Sequence, residues 1–342
     1  MADFKKIACG NVDGDFFVDT TCISCGNCRD LAPENFSKSG KSYVVSKQPE
    51  SSLEHEMVLD ALVCCPLGSI GTINPVIKKE ISNAVNRFPQ EIEDDVFYLG
   101  FNSKSSFGGK SYFIKHPDGN WMIDSPKFSP RLIKFLENQN GLKHIFLTHR
   151  DDVAEAAQYA LHFRAKRYIH ESDLEAQKDA EVVFKTNEPF SPHPDFKIIP
   201  TPGHTMGHSM LLYLEKFLFS GDVFTSRTFS NNAIETWPPF YCWFDWNEQI
   251  NSIARLISFP FEYMLPSHGK RFHGSKDETK KALEHCLLQC QNEKEPDPVS
   301  HARADMFEQI ALWAKQTGQT NYAEYAITRA NSMRQELKAK GK

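Results

Sequence analysis

The 342-residue sequence has no apolar run approaching the ~18 residues that a membrane span needs. Its opening, Met-Ala-Asp-Phe-Lys-Lys, lacks the apolar core of a signal peptide and the Arg-rich pattern of a transit peptide. The expectation is a cytoplasmic protein that does not enter a membrane. An excess of positive charge is also missing. Lys and Arg number 39 against 44 Asp and Glu, a net charge of −5, which argues against nucleic-acid binding. There is no low-complexity segment. Cysteine is nearly absent from most of the chain, with only Cys242, Cys286 and Cys290 after residue 65. The composition, 40% hydrophobic and 24% charged, is that of a globular protein long enough to bury a core.

The other six cysteines crowd the first 65 residues. In a cytoplasmic chain this points to metal or redox use rather than disulfides. Residues 1–75 also carry ten Asp and Glu against six Lys and Arg, so −4 of the net −5 lies there. That acidity fits a solvated surface, or a docking face for an electron donor or acceptor protein with a basic surface.

Cys22-Ile-Ser-Cys25-Gly-Asn-Cys28 sets three thiolates at the spacing that grips one face of a cubane cluster, and Cys65-Pro66 has the form of the remote fourth ligand. No second triple follows, so the count is one [4Fe–4S] cluster. The same thiolates on zinc would favour two separated Cys-x2-Cys pairs, which are absent. Residues 7–75 resemble a single-cluster bacterial ferredoxin through these cysteines, Leu31-Ala-Pro-Glu-Asn-Phe36 and Cys65-Pro-Leu-Gly-Ser-Ile70. Cys64 is expected to point away from the cluster as a buried apolar residue. Cys286 and Cys290, four apart on a helix, are expected in a core.

The expected organisation is a ferredoxin-like α+β module over 1–75, a polar linker over 76–95, an α/β domain over 96–275 and a helical tail over 276–342. In the α/β region a hairpin is expected around Pro117-Asp118-Gly119, then alternating strands and helices. Four apolar strands there each end in a His or Asp. These ends are Thr148-His149-Arg-Asp151-Asp152, Gly203-His204-Thr-Met-Gly-His208, Gly221-Asp222 and Ser267-His268-Gly269. Side chains from one edge of a sheet sandwich can converge on a metal.

This ordered set resembles the metallo-β-lactamase superfamily over residues 96–275, which implies an αββα sandwich with a metal site at one edge. The resemblance implies His149, Asp151, His204 and Asp222 as ligands, with His268 for a second ion. Asp124 and His208 are implied as supporting groups. The first motif departs from the family's His-x-His-x-Asp-His. Asp151 replaces the second His, while Val153 and Ala154 stand where the second metal's ligands belong. Asp152 with Glu155 reads as a helix cap. The expectation is therefore one mononuclear metal, iron, manganese or zinc. Asp151 also resembles the flavodiiron branch, where a Glu stands, but no flavodoxin-like segment is present.

Three functions fit. One is a mononuclear-metal redox enzyme fed by the cluster. Another is a metal-dependent hydrolase of ester, thioester or phosphoester substrates, with a structural or sensing cluster. The third is a non-catalytic redox or scaffold protein with a degenerate metal site. The first two imply a small-molecule substrate. The aromatic run Trp237–Trp246 is expected as a pocket wall, a face against the ferredoxin module, or core.

Overall fold

The computed structural model describes residues 2–225, 233–293, 300–316 and 320–340. The helix breaks expected at Pro296, Pro298 and Gly318 lie outside these residues.

The N-terminal module is built from short pieces. Strands Phe16–Val18 and Ile70–Thr72 pair antiparallel, and Phe36–Ser39 pairs with Ser42–Val45. The helix Ser52–Cys64 starts where the Ser51 hydroxyl accepts from the Glu54 N–H. Phe16, Val18, Phe36, Val45, Val58, Leu59 and Ile70 close a small core. The segment expected as a linker is ordered. Pro75–Asn86 is a helix with Asn74 as its cap and Pro75 in the first turn. Gln90–Glu93 is the edge strand of a seven-stranded sheet. Its polar residues hid it, because an edge strand need not alternate apolar and polar residues.

That sheet runs, in spatial order, Val182–Phe184, Lys166–His170, His144–Phe146, Trp121–Ile123, Tyr112–Ile114, Val96–Tyr98 and Gln90–Glu93. The first four are parallel, joined by crossovers through the helices Pro130–Asn138 and Ala156–Phe163 and the 3₁₀ segment Glu171–Gln177. The last four are antiparallel neighbours, including the expected hairpin. The second sheet runs Phe190–His193, Phe196–Pro200, Ser209–Tyr213, Phe217–Gly221, Tyr263–Pro266 and Phe272–His273.

Period-two alternation explains how the layers stack. Phe196, Ile198, Leu211, Tyr213, Phe217 and Phe219 meet Tyr98, Tyr112, Trp121, Ile123 and Phe146 between the sheets. The intervening Ile199, Met210, Leu212 and Leu218 face outward onto Trp246, Ile253, Leu256, Leu283 and Cys286. Those residues belong to helices Trp246–Leu256 and Lys276–Asn292, so the latter completes the sandwich. On the other side Phe113, Met122 and Ile145 face Leu132, Leu136 and Tyr159. The result is a helix–sheet–sheet–helix sandwich.

Helices His301–Gln316 and Thr320–Ala339 form a C-terminal hairpin. Ala304, Ala311, Ala326 and Ala330 let them approach closely around Phe307 and Met333, with Trp243 against them. Among the described residues no helix is long and apolar enough to cross a membrane.

The N-terminal module is docked on the sandwich. Lys110 and Asp30 form an ion pair of 2.7 Å whose side chains are 3% and 4% exposed. Leu31 and Val63 pack against both cores.

Candidate functional site

The cysteine turn is shaped by Ser24 and Gly26, both with positive φ, before the short helix Asn27–Leu31. Cys22, Cys25, Cys28 and Cys65 line one cavity with Val18, Tyr43 and Ile70. Cys65 leaves the helix Ser52–Cys64 in an extended conformation, so its thiol enters the cavity. Its neighbour Cys64 enters the core between the sheets, beside Phe88 and Tyr98. The thiols are free of disulfides. Burial, reinforced by neighbouring thiolates, pushes Cys25 up to about 12 and Cys28 and Cys65 upward as well. Such thiols ionise when a metal takes the place of the proton. Donors surround the sulfurs. The Ser24 N–H reaches Cys22 Sγ at 3.4 Å, the Ser69 N–H reaches Cys65 Sγ at 3.2 Å, and Asn27 Nδ2 reaches Cys25 Sγ at 3.6 Å. Four convergent thiols with sulfur-directed donors fit a cubane cluster.

The strand ends form a second site at one edge of the sandwich. His149 follows the strand His144–Phe146, His204 follows Phe196–Pro200, Asp222 follows Phe217–Gly221, and His268 follows Tyr263–Pro266. Gly221 makes this possible. Its φ is +52°, and a Cβ there would lie 2.4 Å from His208 Nε2.

His149 Nε2 lies 3.6 Å from Asp222 Oδ2 and 3.9 Å from Asp151 Oδ2. His204 Nε2 lies 3.5 Å from Asp151 Oδ2 and 3.9 Å from Asp222 Oδ2. Donors each about 2.0–2.2 Å from one ion are spaced in this way. His149, Asp151, His204 and Asp222 are thus brought together. His268 is on the other side of Asp222, with Nδ1 2.7 Å from Oδ1.

Asp152 overturns one expectation. It does not cap a helix. The next helix starts at Ala156, its N-cap is Glu155, and no side chain caps it. The turn after Asp151 instead places Asp152 inward, 1% exposed, with neither carboxylate oxygen hydrogen-bonded. Asp152, Asp222 and His268 offer ligand atoms within 4.8 Å of one another. Asp152 therefore brings a carboxylate to the His268 side of Asp222. The space it occupies is left by Gly109, where a Cβ would lie 2.8 Å from Asp152 Oδ1.

Both positions fit a metal on their own chemistry. His149 Nε2, His204 Nε2, His268 Nε2, Asp151 Oδ1 and both Asp152 oxygens are buried without hydrogen-bond partners. Such groups are costly unless something binds them. Burial alone would lower His149, but Asp152, Asp222 and Asp151 outweigh it and hold it near about 10. His268 is likewise held near about 9 against burial, by Asp222 and then Asp152. Burial and the Asp222 charge raise Asp152 to about 8. Burial works against ionisation of Asp151 and Asp222 too, yet the imidazoles hold both low.

Asp124 and His208 tie the loops together. The Asp124 carboxylate accepts from the Thr148 N–H and hydroxyl and from Ser267 Oγ at 3.0 Å, joining ends of both sheets. Thr148 Oγ1 is in turn 2.9 Å from His149 Nδ1. His208 spends both nitrogens, Nδ1 on Thr201 Oγ1 at 2.8 Å and Nε2 on the Asp222 N–H at 3.3 Å. The aromatic run reaches the site through Trp243, 5.7 Å from the His204 ring and 5.8 Å from Phe307 of the C-terminal hairpin. Arg150, 3.8 Å from Asp151, stacks over Tyr325 of the same hairpin at 4.3 Å.

Residues 18–72 match the family model of the 4Fe-4S single cluster domain of Ferredoxin I. No curated protein matches the chain. Among solved structures, the chain is similar to the DIM-1 metallo-beta-lactamase exposed to ceftazidime. The identity is 16% over 59% of this chain and 95% of that one, with a TM-score of 0.46. It is similar to the Flv1 flavodiiron core from Synechocystis sp. PCC6803, at 19% identity over 58% and 59%, with a TM-score of 0.42. It is also similar to ETHE1 from Myxococcus xanthus, at 19% over 58% and 91%, with a TM-score of 0.41.

Proposed function

We propose that the chain is an oxidoreductase in which a [4Fe–4S] cluster on Cys22, Cys25, Cys28 and Cys65 feeds electrons to a two-metal centre. His149, Asp151 and His204 hold one position, Asp152 and His268 hold the other, and Asp222 stands between them. The observation that carries this reading is the donor inventory of the buried pocket: three imidazoles, three carboxylates and no thiolate. Oxygen and imidazole donors suit iron or manganese. Iron bound there supplies one-electron chemistry toward a small oxidant such as dioxygen. In a hydrolase with the same ligands the cluster docked beside the pocket would have only a structural or sensing role.

The chain's own residues do the rest. Asp124, through Thr148, fixes which His149 nitrogen faces the pocket. His208 accepts the Asp222 N–H and holds that carboxylate between the two positions. Trp243 and Arg150, backed by the C-terminal hairpin, wall the pocket on the His204 side. The electron supply would be a one-electron carrier protein meeting the acidic N-terminal module in the cytoplasm.

The test uses anaerobically purified full-length protein. Iron beyond the cluster's own complement is expected, and reduced cluster should reoxidise quickly when oxygen is mixed in. His204→Ala should slow that reoxidation without altering the cluster's absorbance. Equal rates in both proteins, with pocket iron present in the wild type, would return the chain to the hydrolase reading.

A further inference from the structure

The loop between the strands Val96–Tyr98 and Tyr112–Ile114 touches both centres within four consecutive residues. Gly108 lies against the cluster. Its φ is +89°, and a Cβ there would lie 3.0 Å from Cys25 Sγ and 2.8 Å from Asn27 Nδ2. The Gly108 carbonyl accepts from Asn27 Nδ2, the same amide that reaches Cys25 Sγ, and from Asn102 Nδ2 at 2.8 Å. Gly109 lies against the metal pocket, with its Cβ position 2.8 Å from Asp152 Oδ1 and 3.2 Å from Oδ2. Phe107 places its ring 6.4 Å from the His268 ring. Lys110 binds the loop that carries His268. Its N–H donates to the Ser267 carbonyl at 2.7 Å, and its Nζ donates to the Gly269 carbonyl at 2.9 Å while pairing with Asp30.

We infer that residues 107–110 are the electron path between the two centres, and that it leads to the Asp152 and His268 position rather than to the His149 and His204 position. This rests on the redox reading above. With both groups bound, Cys25 and the Gly108–Gly109 backbone would carry one electron from the reduced cluster to iron(III) held by Asp152, His268 and Asp222, and an external one-electron carrier protein would re-reduce the oxidised cluster. The contacts, joined by a Cα-to-Cα step of roughly 3.8 Å, keep Cys25 Sγ within about 13 Å of the Asp152 carboxylate. Two glycines in succession fit this role. A side chain at residue 108 would displace Cys25, and one at residue 109 would displace Asp152.

Magnetic resonance of the resting protein tests the path without turnover. Full-length protein is loaded in the sandwich with zinc(II) or with manganese(II), and the cluster is reduced with dithionite. With manganese bound, the cluster's signal should need several-fold more microwave power to saturate than with zinc. His268→Ala, loaded in the same way, should lose most of that effect, while His204→Ala should keep it. Identical saturation with both ions in wild type would overturn the path, as would an effect that His204→Ala removes and His268→Ala keeps. The redox reading is judged separately by reoxidation rate, so either can fail alone.

Discussion

On the two-metal proposal, Asp152 is the residue on which the metal count turns. A cap lost from an exposed helix end costs about 0.5–2 kcal/mol and no metal. A ligand lost from a buried pair of positions costs a metal. Asp152→Ala is expected to bind one equivalent less of pocket metal than wild type, with the helix content unchanged by circular dichroism. The adjacent Cys64 and Cys65 give a second residue-scale contrast. Cys65→Ser should lose or degrade the cubane, read from its visible absorbance and from iron and sulfide content. Cys64→Ser should keep it, because that side chain lies among Phe88 and Tyr98. The four cysteines that share the cavity were expected from two local signals, the x2 spacing within a turn and the Cys65-Pro66 pair. Asp152 was not legible, because its direction depends on a turn in which Ala154 takes φ +35° and on the space left by Gly109, a contact far apart in sequence.

Among the elements, the strand ends were the readable part. Each site residue follows a short apolar run, and the alternation along Phe196–Pro200, Ser209–Tyr213 and Phe217–Gly221 fixes which face is inner. The strand Gln90–Glu93 escaped sequence reading because it is polar and lies at a sheet edge, whereas the helix Lys276–Asn292 was expected as a helix but as part of the tail rather than as a layer of the sandwich. That helix buries Leu283, Cys286 and Cys290 against the second sheet. Its start carries a full capping box, with the Ser275 hydroxyl accepting from the Glu278 N–H and the Glu278 carboxylate accepting from the Ser275 N–H. Ser275→Ala should therefore cost about 1 kcal/mol. The loss should appear as a lower thermal midpoint, with cluster absorbance unchanged before melting.

At the scale of the whole molecule, two separately legible modules meet in a way that composition did not announce. The charged pair Lys110–Asp30 is almost fully enclosed. Removing one partner leaves the other buried alone, at a cost of about 3–5 kcal/mol, whereas replacing both with apolar residues is often near neutral. Lys110→Met should loosen the docking and expose the joint to limited proteolysis. Asp30→Leu combined with Lys110→Met should restore much of the protection. If the single variant were as protease-resistant as wild type, the pair would not be what seats the module.

The backbone at Gly108 lies directly over Cys25, and this has a consequence for the order of biogenesis. A peptide seated on one ligand hinders a preformed cubane from reaching all four thiols at once. The expected order of maturation is therefore cluster insertion into the open N-terminal module first, then closure of the module on the sandwich, with the closing loop shaping the pocket around Asp152. Chemical reconstitution of cluster-free protein with iron and sulfide should accordingly be slow in wild type and faster in Lys110→Met, followed by the growth of cluster absorbance. Equal uptake in the two proteins would mean that the module takes its cluster while docked.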